Sequence, residues 1–293
     1  MSREAKRIAD AAVDIQFISP LEDHSIGYVA RALVAATLPH SCPHTRQWVR
    51  RNGPFVLTIT ALRTEGLPYG TIPRLVLCWM CTEAVRTQSR ELLLGRSLSE
   101  WMARLGLVPT GGRWGTITRL HDQMLRLFSS AFSFSMTGED GETAGRNITI
   151  ASRYRLWWTN RAPGQRSLLP SEVVLSEEFF EEIVEHPVPL DMRALKALRR
   201  SPMALDIYAW LSWRMWRVKK PVLVPWQGLR LQFGADYADN AQGRKNFRRK
   251  FTYALKKVLL VMPGARVEVH QQGLLIFPGK LPVPPLPKPP KSA

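Results

Sequence analysis

The sequence predicts an α+β chain of two tandem winged-helix domains related by an internal repeat of pattern, and three observations lead there. Residues 97–128, SLSEWMARLGLVPTGGRWGTITRLHDQMLRLF, read as a short helix, a Gly-rich turn and a longer helix with two chemically different faces. The order helix, short extended run, helix, turn, helix, hairpin then returns about 130 residues later without visible identity of sequence. Positive charge is also segregated. The net charge of +17 over 293 residues divides into −1 for residues 1–40, +7 for 41–134, −4 for 135–189 and +15 for 190–293, so two basic regions flank an acidic middle. Such segregation points to a polyanionic partner, nucleic acid first among them.

Taken in order, residues 1–25 read as a mobile or partly helical tail, closed by Pro20. The first winged-helix domain is expected over 26–162. Ile26 to Leu38 is amphipathic until Pro39 and Pro43 break it, and Phe55 to Leu62, FVLTITAL, alternates like a half-buried strand. Gly66, Pro68, Gly70 and Pro73 make a loop before an apolar helix, Leu75 to Thr87, with Arg74, Glu83 and Arg86 toward solvent. Leu92 to Leu94 is a short extended run. Ser97 or Ser99 caps the next helix, Trp101, Met102 and Leu105 form its apolar side, and Gly106 stops it. After Pro109, Gly111 and Gly112, the residues Ile117, Leu120, Met124, Leu127 and Phe128 recur at spacings of three and four and must pack inward. Thr118, Arg119, Asp122, Gln123 and Arg126 are assigned to the opposite face. Ala131 to Met136 and Asn147 to Trp158 flank TGEDGETAG as a wing, along which Arg146, Arg153 and Arg155 alternate with Ile148, Ile150 and Tyr154.

Residues 163–189 read as an acidic linker whose helix, SEEFFEEIVEH, is capped by Ser176 and ended by Pro187 and Pro189. The second winged-helix domain, 190–277, repeats the first. Pro202 to Val218 is a Pro-started apolar helix, Val222 to Val224 an extended run, and Trp226 to Phe233 a helix ending at Gly234. Gln242 to Leu260 turns Phe247, Phe251, Ala254, Leu255 and Val258 inward and Lys245, Arg249, Thr252, Tyr253 and Lys256 outward. ARVEVHQQGLLIF, Ala265 to Phe277, is a two-strand wing turning near Gln272 and Gly273. Residues 278–293 are Pro-rich and basic, an extended polyproline tail.

Arg and Gln offer paired donors to base edges and Thr a hydroxyl or methyl, while cations meet phosphates. The expected DNA contacts are therefore Arg113, Thr116, Thr118, Arg119, Gln123, Arg126, Arg146, Arg153 and Arg155 in the first domain, and Arg244, Lys245, Arg248, Arg249, Thr252, Tyr253 and Lys256 in the second. The first set is expected to discriminate bases and the second to supply most of the salt-dependent affinity. No catalytic residue, cofactor or metal is expected. There is no GxxxxGK[ST] loop, and a His-hydrophobic-His pair of the kind a nicking enzyme needs is absent from the sequence. His40, Cys42 and His44 could begin a zinc site, but no fourth ligand is evident; Cys78 and Cys81 sit inside an apolar helix and read as buried small hydrophobes. Most of the ten tryptophans occupy apolar positions, where core packing outranks base stacking. Three cysteines, no secretory signal and no apolar run of the roughly 18–20 residues a membrane span needs lead to the expectation of a soluble cytosolic protein.

The stretch from Tyr69 to Phe128, with TEAVRTQSREL, LGRSLSEWMARLGL and TGGRWGTITRL, resembles the RepA-type plasmid replication initiators. The similarity extends from Ala30–Ser41 through NGPFVLTITAL to FRRKFTYALKKV, Phe247 to Val258, and is least in the tails. The resemblance implies a non-enzymatic protein that binds repeated double-stranded sites at a plasmid origin, helps to open adjacent AT-rich DNA and gathers host helicase or initiator proteins. It also implies autorepression and a monomer in equilibrium with a homodimer. A winged-helix transcriptional repressor and a basic RNA-binding protein are the alternatives.

Overall fold

The computed structural model describes residues 3–95, 97–138, 140–156 and 171–284. In chain order, α1 (Arg3–Phe17), β1 (Ile26–Ala30) and α2 (Arg31–Ala35) lead into β2 (Gln47–Asn52) and β3 (Phe55–Ala61). Helix α3 (Thr71–Thr87), strand β4 (Glu91–Leu93) and helices α4 (Leu98–Arg104) and α5 (Thr116–Phe128) follow, then β5 (Ser130–Thr137), β6 (Thr143–Thr149), β7 (Ala151–Arg155) and β8 (Glu172–Leu175). The chain continues through α6 (Glu177–Glu185), β9 (Pro187–Asp191), α7 (Met192–Leu198), α8 (Pro202–Met215), β10 (Val222–Pro225), α9 (Trp226–Phe233) and α10 (Ala241–Leu260) to β11 (Val267–Val269) and β12 (Gly273–Ile276). The class is α+β, as the sequence predicts.

The two helices at the centre, α3 and α8, are apolar on almost every side, which suits only an interior position. Every residue from Pro73 to Cys81 in α3 and from Met203 to Tyr208 in α8 is buried, and the two helices touch. Around them, among the described residues, lie four antiparallel sheets. The longest, in the order β2-β3-β5-β6, packs Leu57, Ile59 and Phe132 inward.

Two smaller sheets share one strand order. β4 pairs with β8, which pairs with β7; β10 pairs with β12, which pairs with β11. The β5–β6 hairpin, which the sequence predicts as the wing, belongs to the larger sheet, and β7 pairs instead with β8. The expected strand from Asn147 to Trp158 is broken at Ile150, which is fully buried. There the Ser176 hydroxyl donates to the Thr149 carbonyl at 2.5 Å and the Ser176 amide to the Ile150 carbonyl at 3.3 Å, so the chain turns from one sheet into the other. The segment 157–170 between β7 and β8, which includes the expected end of the first domain and the start of the linker, lies outside the described residues.

Three further expectations need correction. Of the expected mobile or partly helical tail, Arg3–Phe17 form a helix that is not free, since α1 buries Ile8, packs Ala11 and Ile15 against the core, and lies on α7 and α10. Arg7 donates to the Ala197 carbonyl at 2.9 and 3.1 Å, and Lys257 to Glu4 at 2.8 Å. The amphipathic run Ile26–Leu38 divides into β1 and α2, because β1 finds a partner 160 residues away in β9, with Tyr28 opposite Pro189 and Ala30 opposite Pro187. The acidic stretch is likewise no free linker. Ser176 caps α6 by accepting from the Phe179 amide, as expected, but α6 buries Phe179 and Ile183 against α3, and β9 tolerates its prolines because it has a neighbour on one side only. In the Pro-rich tail, Val283 is buried, in a groove it shares with Tyr28, Trp213 and Trp216; residues 285–293 lie outside the described chain.

Candidate nucleic-acid interface

The polar faces of α5 and α10 differ in how much they leave for a ligand. The turn before α5 is closed by the Gly115 amide donating to the Gly112 carbonyl at 3.0 Å. Gly112 has a φ of +84°, and a Cβ on Gly115 would collide with the Thr110 carbonyl, so both positions require glycine. Thr110 and Thr116 each donate an amide to the other's hydroxyl at 2.9 Å, and the hydroxyls of Thr116 and Thr118 donate to the carbonyls of Val108 and Gly112 at 2.6 and 2.9 Å. Thr116 and Thr118 thus hold the turn instead of offering free reading groups.

Gln123 is the clearest departure from expectation. It stands three residues after Leu120 and four before Leu127, on the inward stripe itself, and only 5% of it is exposed. Its Oε1 accepts from the Tyr69 amide at 2.8 Å, which ties α5 to the loop before α3. Arg126 is half-buried, donating to Asp122 at 2.8 Å and lying over the Tyr69 ring. The turn leaves Arg113 and Trp114 exposed, and α5 leaves Arg119 and His121. The Arg113 guanidinium lies 5.2 Å from the Trp114 ring centroid, and the Arg119 side chain forms no hydrogen bond or ion pair with a described residue. Trp114, absent from the expected contacts, is 79% exposed; its signal in the sequence is an aromatic next to Arg in a run of glycines, where no core stripe can reach it.

Helix α10 keeps most of its outer face, bordered by α1 at Lys257. Asn240 caps it, accepting from the Gly243 amide at 2.7 Å, and Phe247, Phe251, Ala254, Leu255 and Val258 are buried as predicted. Arg244, Lys245, Arg248, Arg249, Tyr253 and Lys256 are exposed and Thr252 is half-exposed; Lys250 is a further exposed cation on this helix. Arg248 is pinned, lying 4.9 Å from the Trp226 ring and donating to the His270 carbonyl at 3.1 Å, so helix, α9 and hairpin tip are fixed to one another. Arg244 reaches Asp239 at 3.4 Å, while Lys245, Arg249 and Lys256 form no ion pair with a described residue. This row of uncompensated cations on one rigid helix is suited to a phosphate backbone.

The three hairpin arginines do not share one side of a wing. Arg146 is on β6 opposite Phe134 and on the same face as Ile148, in a groove with Arg31, Phe55 and Arg217. Arg153 and Arg155 are on β7 in the other sheet, and Arg155 lies 3.9 Å from Glu172.

Behind both helices sits a buried polar clasp. Arg74 of α3 donates from Nε and Nη2 to the two carboxylate oxygens of Asp206 in α8, both at 2.7 Å, and also to the carbonyls of Leu38, Pro39 and Gly70. His40 Nε2 meets Asp206 at 2.8 Å, so this member of the His40, Cys42, His44 group is already engaged. Burial works to raise the Asp206 pKa, but the Arg74 guanidinium and the hydrogen bonds from Arg74 and His40 outweigh it and hold the carboxyl at about 2. Burial pushes His40 below its ordinary range, helped by the nearby Arg74 and Arg50 charges. Fully buried Arg50 is lowered to about 10, chiefly by desolvation, and donates over 3.4–3.5 Å to the carbonyls of Thr37 and Leu38.

The family described as "Plasmid encoded RepA protein" matches residues 67–224, more than half of the chain, from the loop before α3 into β10. The chain belongs to this RepA family. The resemblance carried by Tyr69 to Phe128 falls wholly inside the matched region. A crystal structure of domains 2 and 3 of RctB is similar in fold to this RepA-family chain, with a TM-score of 0.54, 13% identity, and coverage of 84% of this chain and 95% of that one. A second structure of RctB domains 2–3 aligns at a TM-score of 0.49 and 11% identity, covering 82% and 93%. No curated protein matches the chain.

Proposed function

We propose that this RepA-family protein initiates plasmid replication by binding repeated double-stranded sites at an origin through two winged helices. The first would comprise α3, β4, α4, α5 and β7–β8, and the second α8, β10, α9, α10 and β11–β12. The observation that carries this reading is the strand order common to β4-β8-β7 and β10-β12-β11, each with a helix pair, α4–α5 or α9–α10, between its first and second strands in the chain, together with the exposed cations of α10 and of the α5 end. In this reading α10 supplies phosphate contacts and the α5 end supplies base contacts through Arg113 and Arg119. Bound protein then promotes opening of neighbouring AT-rich DNA, recruits host helicase or initiator proteins, and represses its own gene. It does so in the bacterial cytoplasm without a cofactor or a catalytic step, as a monomer in exchange with a homodimer.

The test is a footprint on the replicon that encodes the protein, at two salt concentrations, with a single-strand-specific probe of the flanking DNA. Evenly spaced protected repeats with melting beside them are expected, and protection should weaken steeply at the higher salt. Protection of a single inverted repeat over a promoter, without melting, would mean a repressor and defeat the initiator reading.

A further inference from the structure

Trp114 has no structural task that its position explains. It is 79% exposed and occupies the third position of the turn Gly112–Gly115, which is closed by its own hydrogen bond and braced by the reciprocal Thr110–Thr116 pair. The bracing fixes the backbone that carries the indole immediately before Gly115, the N-cap of α5, and the Arg113 guanidinium lies over the ring. A large apolar side chain presented to water from a braced turn, next to uncompensated cations, marks a contact residue. The chemistry of what it contacts is restricted by where it stands. When a helix-turn-helix docks, the first residues of its second helix face base edges in the major groove. The apolar group which the major groove offers is the C5 methyl of thymine.

We infer that Trp114 packs on a thymine methyl in the bound site and so reads a T at one position of each repeat. This rests on the DNA-binding reading above and adds a specificity residue to it. The test uses the full-length protein and a duplex carrying one protected repeat, in which thymines are exchanged for uracil one at a time, an exchange that removes only the methyl group. Wild-type protein should bind about fourfold more weakly when the contacted methyl is lost, the effect of removing one buried carbon from an apolar contact. Trp114→Ala should bind the thymine duplex about that weakly and be indifferent to the exchange. A variant that still distinguishes thymine from uracil at the same position, or a wild-type protein indifferent to every exchange, overturns the inference. Arg249→Ala separates the two levels of the claim, since it should weaken binding to thymine and uracil duplexes alike. Absence of any duplex binding by the wild-type protein would bring down the DNA-binding reading and this inference together.

Discussion

Asp206 shows how much a single buried carboxylate can hold. It is buried, bridges α3 and α8 through Arg74, and accepts from His40. Asp206→Asn would leave the Arg74 guanidinium buried without its counter-charge, and breaking one side of such a pair costs about 3–5 kcal/mol; the midpoint of urea unfolding should fall accordingly. The pH dependence has a definite sign. With the folded pKa at about 2, below the ordinary value of 3.8, the stability that Asp206 contributes is complete above pH 4 and is lost as pH falls toward 2. His40 acts in the same direction at higher pH, because a histidine held neutral by burial loses stability as pH falls below its ordinary 6.5. In Asp206→Asn the loss between pH 4 and 2 should be reduced. None of this was legible in the sequence. Arg74 and Asp206 stand 132 positions apart, and Arg74 reads there as a solvent-facing residue of an apolar helix. Gln123 misleads for a different reason, since its polarity suggests an outward position although its spacing from Leu120 and Leu127 places it inside.

At the level of elements, α10 was read almost completely, because long periodic helices state both their buried stripe and their outer face. Arg249 and Lys256 are exposed on that outer face and free of ion pairs with described residues. Alanine at either position should weaken binding to all DNA sequences about equally and lower the slope of log affinity against log salt by about one unit. Fluorescence anisotropy titrations over a salt series on specific and scrambled duplexes measure this. A loss confined to the specific duplex would reassign the residue to base reading. The hairpins were less legible. Strand-like runs announce themselves by alternation, but nothing local says which sheet a strand joins, and the break at Ile150 depends on Ser176, a residue from 26 positions further on.

Across the whole molecule, the expected tail turns out to be part of the framework. Helix α1 lies on α7 and α10, so the start of the chain stabilises its last third. Ile8→Ala should cost about 2–5 kcal/mol, and hydrogen exchange should accelerate in α7 and the C-terminal half of α10 while α4 and α5 keep their protection. Equal acceleration throughout would mean that the two halves unfold as one unit. The acidic segment misled in the same way as the tail, since composition alone cannot tell a spacer from a helix whose buried face is Phe179 and Ile183.

The Arg74–Asp206 clasp also bears on how such a protein meets its target. The two reading helices cannot swing apart without stranding a buried guanidinium, so in the proposed reading the protein behaves as a calliper locked at one opening. Where the spacing of a site departs from that opening, the duplex is the partner that has to bend or twist to fit, and the work of deforming it falls on the DNA from the first contact.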